Sequence, residues 1–304
     1  MALRGGCHVL VEKPVALACA EVDAVLAVHA SCAPGLVLAA VQNQRTDSRY
    51  QQLKALLASG ALGRIHRVVW TATDWYRTQA YYDSAAWRGT WAGEGGGVLV
   101  NQAVHQLDLW CWLFGLPTRL TAHCRFGAAH DITVEDEVDV LCTLPGGGSG
   151  VFITGTGTSP GVNRLEVDCD HGRVVVDRHG LTWQRTAPSV STHRRISRTP
   201  WEHPATVEEF HPHPPPGLQL AAVITDFATA CRTDRAPLAP VAEVRAQVAF
   251  ANAILVAGCS GAGGEILSLP LAEGRFADLH AALVRDESRK ERATPSAQAF
   301  SSAG

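Results

Sequence analysis

The feature that most constrains the fold is a change of pattern near residue 45. Before it, two short apolar runs, residues 8–12 and 36–41, flank a segment at 18–31 whose apolar residues recur at helical spacing. Strand, helix and strand within about 35 residues form a βαβ unit, whose two strands are parallel. The first part of the chain therefore predicts a piece of a parallel α/β sheet.

After that point the sequence is typical of an antiparallel meander. A helix is expected at about 47–58, and strand-like segments follow at 65–72, 119–126, 138–144, 149–156, 163–169, 173–177 and 181–185. Hairpin-type turns such as Pro145–Gly148 separate the later segments. Further helices are predicted at about 98–114, 218–232 and 241–258. The predicted fold class is α/β with an α+β second part: a parallel remnant followed by a large, mostly antiparallel open sheet covered by helices on one face.

Composition favours a small-molecule partner. The chain has 26 basic and 29 acidic residues and a net charge of −3, so no basic surface for nucleic acid or an anionic membrane is expected. The nine cysteines are scattered without a C-x-x-C pair, which is typical of a reducing cytoplasm rather than a disulfide framework or zinc site. No signal peptide is evident, and Glu21 and Asp23 interrupt the best apolar run, so no membrane span is predicted.

Three polar residues lie in the strongly apolar segment 98–114. Asn101, His105 and Asp108 are spaced i, i+4 and i+7, which places them on one face if the segment is a helix. Buried polar groups are either paired or functional, so a catalytic set and a satisfied structural network are equally open alternatives. Glu94–Gly97 precedes the segment, and its glycines indicate either room for a ligand or a flexible loop.

Lysine is scarce in this chain, with three lysines against 23 arginines. A lysine retained under that bias is a candidate for a role that needs a compact, titratable amine. Lys13 ends the first apolar run and precedes Pro14. Lys54 and Lys290 are taken as ordinary surface residues.

Four motifs, in order along the chain, resemble one enzyme family. They are Val9–Pro14 (VLVEKP), Leu56–Gly63 (LLASGALG), Gly95–Asp108 (GGGVLVNQAVHQLD), and Asn163–Val167 with the turn His171–Arg173. Together they resemble the glucose-fructose oxidoreductase/inositol dehydrogenase/rhizopine catabolism (Gfo/Idh/MocA) oxidoreductases over most of residues 5–280. The resemblance implies a two-domain enzyme that uses NAD or NADP and acts on a carbinol of a sugar, polyol or nucleotide-sugar.

The resemblance also implies roles for single residues. Lys13 matches the lysine that contacts the reacting oxygen, and Pro14 the proline that shapes the nicotinamide site. His105 matches the usual acid/base, and Asn101 stands where relatives commonly carry aspartate. An amide cannot take up a proton, so any relay would run through His105 and Lys13. Asp108 is expected to orient His105.

Residues flanking these motifs complete the predicted site. Glu12, beside Lys13 and Pro14, is assigned to cofactor binding. Trp87 and Arg88 resemble a family position near the cofactor. The predicted substrate contacts, besides Lys13, Asn101 and His105, are Tyr76, Arg77 and Tyr82. A rim of packed aromatic side chains is the alternative for the tyrosines.

The family's phosphate-binding fingerprint, G-x-G-x-x-G between a strand and a helix, is not found in the sequence. Gly155–Gly157 with Gly161 leads into another strand. The expected domains are therefore a C-terminal remnant of a Rossmann domain at 1–44, a sheet domain for substrate binding, catalysis and oligomerisation at 45–285, and a disordered tail at 286–304. Association of identical chains is expected through the open sheet face, as the resemblance implies.

Three alternatives follow from the absent fingerprint. The chain is a truncated form of an ordinary dehydrogenase, a short non-catalytic binding or regulatory paralogue, or an unrelated sheet protein. In each case the 304 residues are expected to bind NAD or NADP poorly.

Two further clusters suggest metal binding at first sight. Val134–Asp139 alternates acids at a strand start, which is usually a solvated edge. His211–Pro216 contains two histidines, but its prolines predict an extended linker. No metal site is predicted.

Overall fold

A computed structural model describes residues 1–213, 217–233, 235–260 and 265–293. Its first part is the predicted βαβ unit. Strands β1 (Val9–Val11) and β2 (Leu38–Ala40) pair in parallel, and helix α1 (Cys19–Ala30) connects them. Glu21 fixes the start of α1 because its carboxylate accepts the backbone N–H groups of Leu17 and Ala18. A short 3₁₀ helix at Asn43–Thr46 leads into the second part.

The second part begins with helix α2 (Ser48–Ala58) and continues with the elements that follow in chain order: β3 (Ile65–Ala72), α3 (Gln79–Asp83), α4 (Val104–Phe114), β4 (Arg119–Phe126), β5 (Glu135–Thr143), β6 (Ser149–Gly155), β7 (Asn163–Cys169), β8 (Gly172–Asp177), β9 (Gly180–Ala187), α5 (Val190–Ile196), β10 (Ala205–Pro212), α6 (Gln219–Thr233), α7 (Val241–Gly258), β11 (Leu267–Ser268) and α8 (Arg275–Ala293). The predicted strands and the helices 47–58, 218–232 and 241–258 are confirmed within a few residues.

These strands form one nine-stranded sheet in the order β10-β9-β8-β7-β3-β6-β5-β4-β11. Every neighbouring pair is antiparallel except β3 and β6, which are parallel. The parallel pair arises because β3 inserts between β6 and β7 after a long connection rather than a hairpin. The predicted fold class, with a short parallel sheet beside a large, mostly antiparallel one, is confirmed.

Helices α4 and α7 bury their apolar surfaces against one face of the large sheet. Trp110 of α4 packs edge-on against Phe152 of β6 and near Phe250 of α7. Each of these three rings is fully buried. The opposite face is open: on β5, Val140 is buried while its neighbour Leu141 is 55% exposed. This alternation fixes which side of the sheet carries the core.

The small parallel sheet obtains its cover from the C-terminal half of the chain. Val244 and Val248 of α7 form a second apolar cluster with Val22 of α1 and Leu38 of β2. The backbone N–H of Ala40 also donates to the carbonyl of Ala239 at 2.9 Å. The two parts of the fold are therefore joined by packing as well as by chain connection.

The segment predicted as one helix at 98–114 becomes helical only at Val104. Residues 98–103 form turns instead. They lie against Glu135 of β5, whose side chain accepts the N–H groups of Gly97 and Leu99 and whose carbonyl accepts that of Val98. A side chain on Gly97 would overlap the Glu135 carbonyl. The three glycines are buried against protein atoms, so the prediction of ligand room or a flexible loop was wrong.

The acidic run at 134–139 is not a solvated edge. Glu135 and Asp136 are fully buried. Asp136 accepts the backbone N–H groups of Ala128, Ala129 and His130 and so closes the preceding turn. Buried carboxylates used in this way replace a loop's missing backbone partners.

Two predictions near the C-terminus also change. The segment 211–216 was predicted to be an extended linker, but residues 205–212 form the edge strand β10 against β9, so His211 and Pro212 end a strand. Residues 214–216 lie outside the described part of the chain. Helix α8 continues to Ala293, so 286–293 is helical and not disordered, while 294–304 lies outside the described residues. Its Glu287, 4% exposed, accepts the N–H groups of Trp91 and Ala92 and holds the helix end in place.

One helix meets the length and hydropathy of a membrane span, contrary to the prediction that no apolar run does. This is α7, and 72% of the window is buried inside the fold. Its apolar surface is thus explained by packing against the sheet and α1.

Candidate active site

Lys13 stands at the C-terminal end of β1 and reaches across to the segment before α4. Its ammonium donates to the carbonyl oxygen of Asn101 at 3.0 Å and to the Asn101 side-chain oxygen at 2.9 Å. An ammonium has three N–H donors, so one remains for another oxygen. Burial lowers the pKa of Lys13; Glu12 and Glu94 oppose that shift, and Arg77 and Arg88 add to it. The peptide bond to Pro14 is cis.

Asn101 connects Lys13 to a group of polar side chains that the sequence analysis did not identify. Its amide nitrogen donates to Glu94 and, at 3.2 Å, to the hydroxyl of Tyr81. The second Glu94 oxygen accepts the N–H of Gly89 at 2.7 Å. Asn101 therefore acts as acceptor towards a cation and as donor towards a carboxylate. An aspartate at this position would lose the second function.

His105 lies on the first turn of α4. Its Nδ1 is 2.8 Å from the side-chain oxygen of Gln42, which is 1% exposed. Because that oxygen accepts, Nδ1 carries the proton and Nε2 keeps a free lone pair. Burial lowers the pKa of His105 to about 4, and the charge of Lys13 adds to the effect. The imidazole is thus neutral at pH 7 and able to accept a proton at Nε2.

Asp108 does not orient His105, and that prediction was wrong. Both its oxygens accept from the Arg45 guanidinium, each at 2.8 Å, in a pair that is almost completely buried. Arg45 also donates to Glu243 of α7 at 2.7 Å. This network joins the 3₁₀ segment after β2 to α4 and α7, so Asp108 has a structural position. The predicted single face also fails at Asn101, which precedes the start of α4 at Val104.

Trp87, Arg88 and Arg77 gather around Tyr81. The Arg88 guanidinium lies 4.4 Å from the Trp87 ring centre and 4.3 Å from that of Tyr81, and it donates to the Tyr81 hydroxyl at 2.6 Å. The Arg77 guanidinium lies 5.1 Å from the same tyrosine ring. The structure therefore places Arg77 and Arg88 next to Asn101 and Lys13, and both remain candidate ligand contacts.

The two tyrosines predicted as substrate contacts, Tyr76 and Tyr82, form no hydrogen bond to Lys13, Asn101 or Arg88 among the residues that the structure describes. Tyr82 is 4% exposed and its hydroxyl shares a hydrogen bond with Thr156 at 3.0 Å. It packs against His130, so its assignment as a substrate contact was wrong. Tyr76 is 48% exposed and lies beside Arg77 in the loop after β3. Glu12 is exposed, and its carboxylate accepts the backbone N–H of Lys13 at 3.1 Å.

Three buried polar atoms beside these residues have no hydrogen-bond partner within the described part of the chain: Gln42 Nε2, Arg88 Nε and Gln102 Oε1. Gln42 and Gln102 are 1% and 5% exposed. An unpartnered buried polar atom costs about 1–3 kcal/mol, so several in one place are typical of a site that a polar ligand completes. Sequence reasoning had only one signal for these glutamines, a polar side chain within an apolar segment.

No three histidine, cysteine, aspartate or glutamate side chains among the residues in the structure are grouped so as to hold a metal ion. The candidate chemistry is therefore that of Lys13, Asn101 and His105. It combines a cation with one free donor, an amide that holds it, and a neutral imidazole with a free lone pair.

Comparison with known proteins shows a resemblance to one family. Residues 50–175 match the model of the GFO/IDH/MocA C-terminal domain. The uncharacterized oxidoreductase YdgJ of Escherichia coli K12 is 36% identical over 130 residues, which is 42% of this chain and 36% of that protein. This part of the chain is therefore similar to the C-terminal domain of the Gfo/Idh/MocA oxidoreductases. Its match to the E. coli oxidoreductase spans little more than a third of that relative's length.

Solved structures share the fold of this chain. The WlbA dehydrogenase of Bordetella pertussis, in complex with NADH and UDP-GlcNAcA, has a TM-score of 0.69 at 25% identity, over 89% of this chain and 74% of that one. The aldose-aldose oxidoreductase of Caulobacter crescentus, complexed with glycerol, has a TM-score of 0.66 at 22% identity, over 88% and 74%. Because the Caulobacter protein is only 22% identical, its similarity to this chain shows a shared fold and nothing more.

Proposed function

We propose that this chain is a nicotinamide-dependent oxidoreductase that transfers a hydride between NAD or NADP and a carbinol or carbonyl of a sugar, polyol or nucleotide-sugar. The observation that carries the proposal is the geometry at Lys13. Its ammonium is held by two oxygens of Asn101, has one donor left, and lies close enough to lower the pKa of the neutral His105.

The reaction sets the requirements that these residues meet. Oxidation of a carbinol removes a proton from oxygen and a hydride from carbon, and the nicotinamide supplies the hydride-accepting chemistry when bound. His105 Nε2 takes the hydroxyl proton, because Gln42 holds the proton on Nδ1. The remaining N–H of Lys13 stabilises the alkoxide charge that develops as the proton leaves. Reduction of a carbonyl runs through the same groups in reverse.

The residues present fit the reacting end of a dinucleotide. Pro14 follows Lys13 at the end of β1, and Trp87 and Arg88 lie across from it beside Tyr81. The buried Gln42 Nε2 has no partner within the described residues and fits a polar ring substituent. These residues, with Glu12, are proposed to hold the nicotinamide. The sequence has no glycine-rich phosphate loop, so tight dinucleotide binding by residues 1–304 is not expected.

What neighbouring proteins bind supports the substrate class. The Bordetella structure contains NADH and a nucleotide-sugar, and a levoglucosan dehydrogenase of the same fold is a complex with NADH. Within this chain, residues 1–44 are proposed as dinucleotide-domain remnant and 45–285 as the sheet domain. The open sheet face is proposed to join identical chains, and a cytoplasmic location is proposed for the protein.

A non-catalytic binding or regulatory paralogue is the second candidate. The observation that favours it is the absence of a phosphate loop from the sequence, while the carbohydrate side of the site retains its buried, unpartnered polar atoms. Such a protein would bind the sugar or polyol without exchanging a hydride.

The two candidates are separated by turnover of the purified 304-residue chain with NAD or NADP at millimolar concentration and a panel of sugars and polyols. An enzyme changes the nicotinamide absorbance, and Lys13→Met lowers the rate by about 10²-fold or more because the alkoxide loses its cation. Lys54→Met is the matched control, since Lys54 is also half-buried but its ammonium is bound to the Trp112 carbonyl. Binding of the panel without any turnover would contradict the proposal and favour the paralogue.

A further inference from the structure

Three cations, Lys13, Arg77 and Arg88, face this site without an ion pair among the described residues. Lys13, Arg77 and Arg88 are each partly buried. None of them forms an ion pair with a carboxylate in the described part of the chain, where the side-chain partners of the two arginines are aromatic rings and the Tyr81 hydroxyl. Like charges gathered in a partly buried place raise the free energy of the folded protein unless an anion joins them.

The nearby carboxylates do not supply that anion. One Glu94 oxygen is bound to Asn101 and the other to the N–H of Gly89. Glu12 is exposed and its carboxylate accepts the backbone N–H of Lys13. Both acids are therefore occupied by other partners, and neither reaches a guanidinium within ion-pair distance.

Elsewhere this protein pairs its buried arginines. Arg45 binds Asp108 through two hydrogen bonds, and Arg49 binds Asp47 in the same manner. Arg173, on the sheet, pairs with Asp168 at 2.6 Å. Arg77 and Arg88 therefore differ from these arginines, because neither has a carboxylate partner among the described residues.

Donors remain on both guanidinium groups. Arg77 uses one nitrogen, Nη1, on the carbonyls of Trp75 and Tyr76. Arg88 uses Nη1 on Tyr81, while its Nε is buried without a partner. A guanidinium edge with two free N–H groups matches a carboxylate, which accepts two parallel hydrogen bonds.

We propose that this site takes an anionic substrate, a sugar or polyol acid whose carboxylate is bound by Arg88 and Arg77 while its carbinol meets Lys13 and His105. Gln102 fits the same ligand, since its buried Oε1 has no partner within the described residues and accepts from a substrate hydroxyl. The inference rests on the proposed function and adds the charge of the substrate to it.

A second source of anionic oxygen is the pyrophosphate of the dinucleotide. Carboxylate and phosphate present similar oxygens to a guanidinium, so the experiment includes both. The matched ligands are D-gluconate and D-glucitol, which differ at one carbon by a carboxylate in place of a hydroxymethyl group. Inorganic pyrophosphate represents the cofactor's anion.

The test is calorimetric titration of the full 304-residue chain with these three probes. Gluconate should bind more tightly than glucitol by about tenfold to a hundredfold, the range for hydrogen bonds to a charged group. Arg88→Gln and Arg77→Gln should each weaken gluconate binding more than glucitol binding and so reduce that preference towards unity. Arg185→Gln is the control, because Arg185 also stacks on an aromatic ring but is paired with Glu209 on the sheet.

The possible outcomes distinguish a failure of the proposed anion site from a failure of the proposed oxidoreductase function. Gluconate binding that depends on Arg88 but never leads to turnover would support the anion site and contradict the oxidoreductase. Turnover of glucitol and gluconate with equal affinity would uphold the oxidoreductase and overturn this inference. Pyrophosphate binding that depends on Arg88, without a preference for gluconate, would assign the cations to the cofactor and overturn it as well. Circular dichroism of each variant confirms that it is folded.

Discussion

Replacement of Asn101 by aspartate should destabilise this protein. The Asn101 amide nitrogen donates to Glu94, whereas a carboxylate there would face the Glu94 carboxylate. A hydrogen bond to a charged group contributes about 1.5–3 kcal/mol, and its loss is offset in part because Lys13 would gain an ionic partner. The expected net loss of unfolding free energy for Asn101→Asp at pH 7 is about 2 kcal/mol.

The acid form of the new pair removes the conflict. Two carboxylates in contact share a proton, so one of them has a folded pKa raised above its unfolded value. The cost of Asn101→Asp is therefore fully present above that folded pKa and declines as the pH falls through it towards about 4. Urea unfolding at pH 7 and at pH 5 should show a smaller difference from the parent protein at pH 5.

Glu94→Gln provides the matched rescue. In the double variant a neutral amide replaces the carboxylate opposite Asp at 101, so a donor is available again. The double-mutant cycle should give a coupling free energy of about 2 kcal/mol between positions 94 and 101. Equal stability of Asn101→Asp at both pH values, together with additive single changes, would refute the paired arrangement of Glu94, Asn101 and Lys13.

Two further outcomes follow from the site. Since burial lowers the pKa of His105 to about 4, its neutral form stabilises the fold above pH 6.5, and that contribution is lost as the pH falls to 4. Relative to His105→Gln, the parent protein should lose about 3 kcal/mol of unfolding free energy over this pH interval. Parallel pH profiles of the two proteins would contradict this prediction. Asp108→Asn should cost about 3–5 kcal/mol in urea unfolding because the buried Arg45 loses its two-hydrogen-bond carboxylate partner and keeps only the exposed Glu243. Asp23→Asn, at an exposed pair, should cost less than about 1 kcal/mol, and a stable Asp108→Asn protein would show that the buried pair is not structural.

The sequence predicted elements whose signal is local. Strands with alternating apolar residues, such as 65–72, and helices with strong periodicity, such as 241–258, agree with the structure. The motif around Lys13 and His105 likewise led to two residues that the fold brings together from opposite sides of the site. These features depend on short stretches of chain, which a single sequence contains.

What the sequence did not predict depends on contacts between distant segments. The turns before α4 are bound by Glu135, which is 36 residues beyond Leu99 in the chain. The exposed appearance of that acid run gave no indication of its burial. Gln42, Glu94 and Tyr81 contact site residues through tertiary pairing alone, and their spacing has no periodic signal.

The most direct test of the proposed chemistry is transfer of a deuterium label from a C-deuterated sugar or polyol to the nicotinamide of NAD or NADP, catalysed by the 304-residue chain and followed by mass spectrometry. The label should appear on the nicotinamide, and His105→Ala should slow its transfer by about 10²–10⁴-fold while leaving cofactor affinity nearly unchanged. Label that never leaves the substrate, at concentrations where both ligands are bound, would contradict the assignment of this chain as an oxidoreductase.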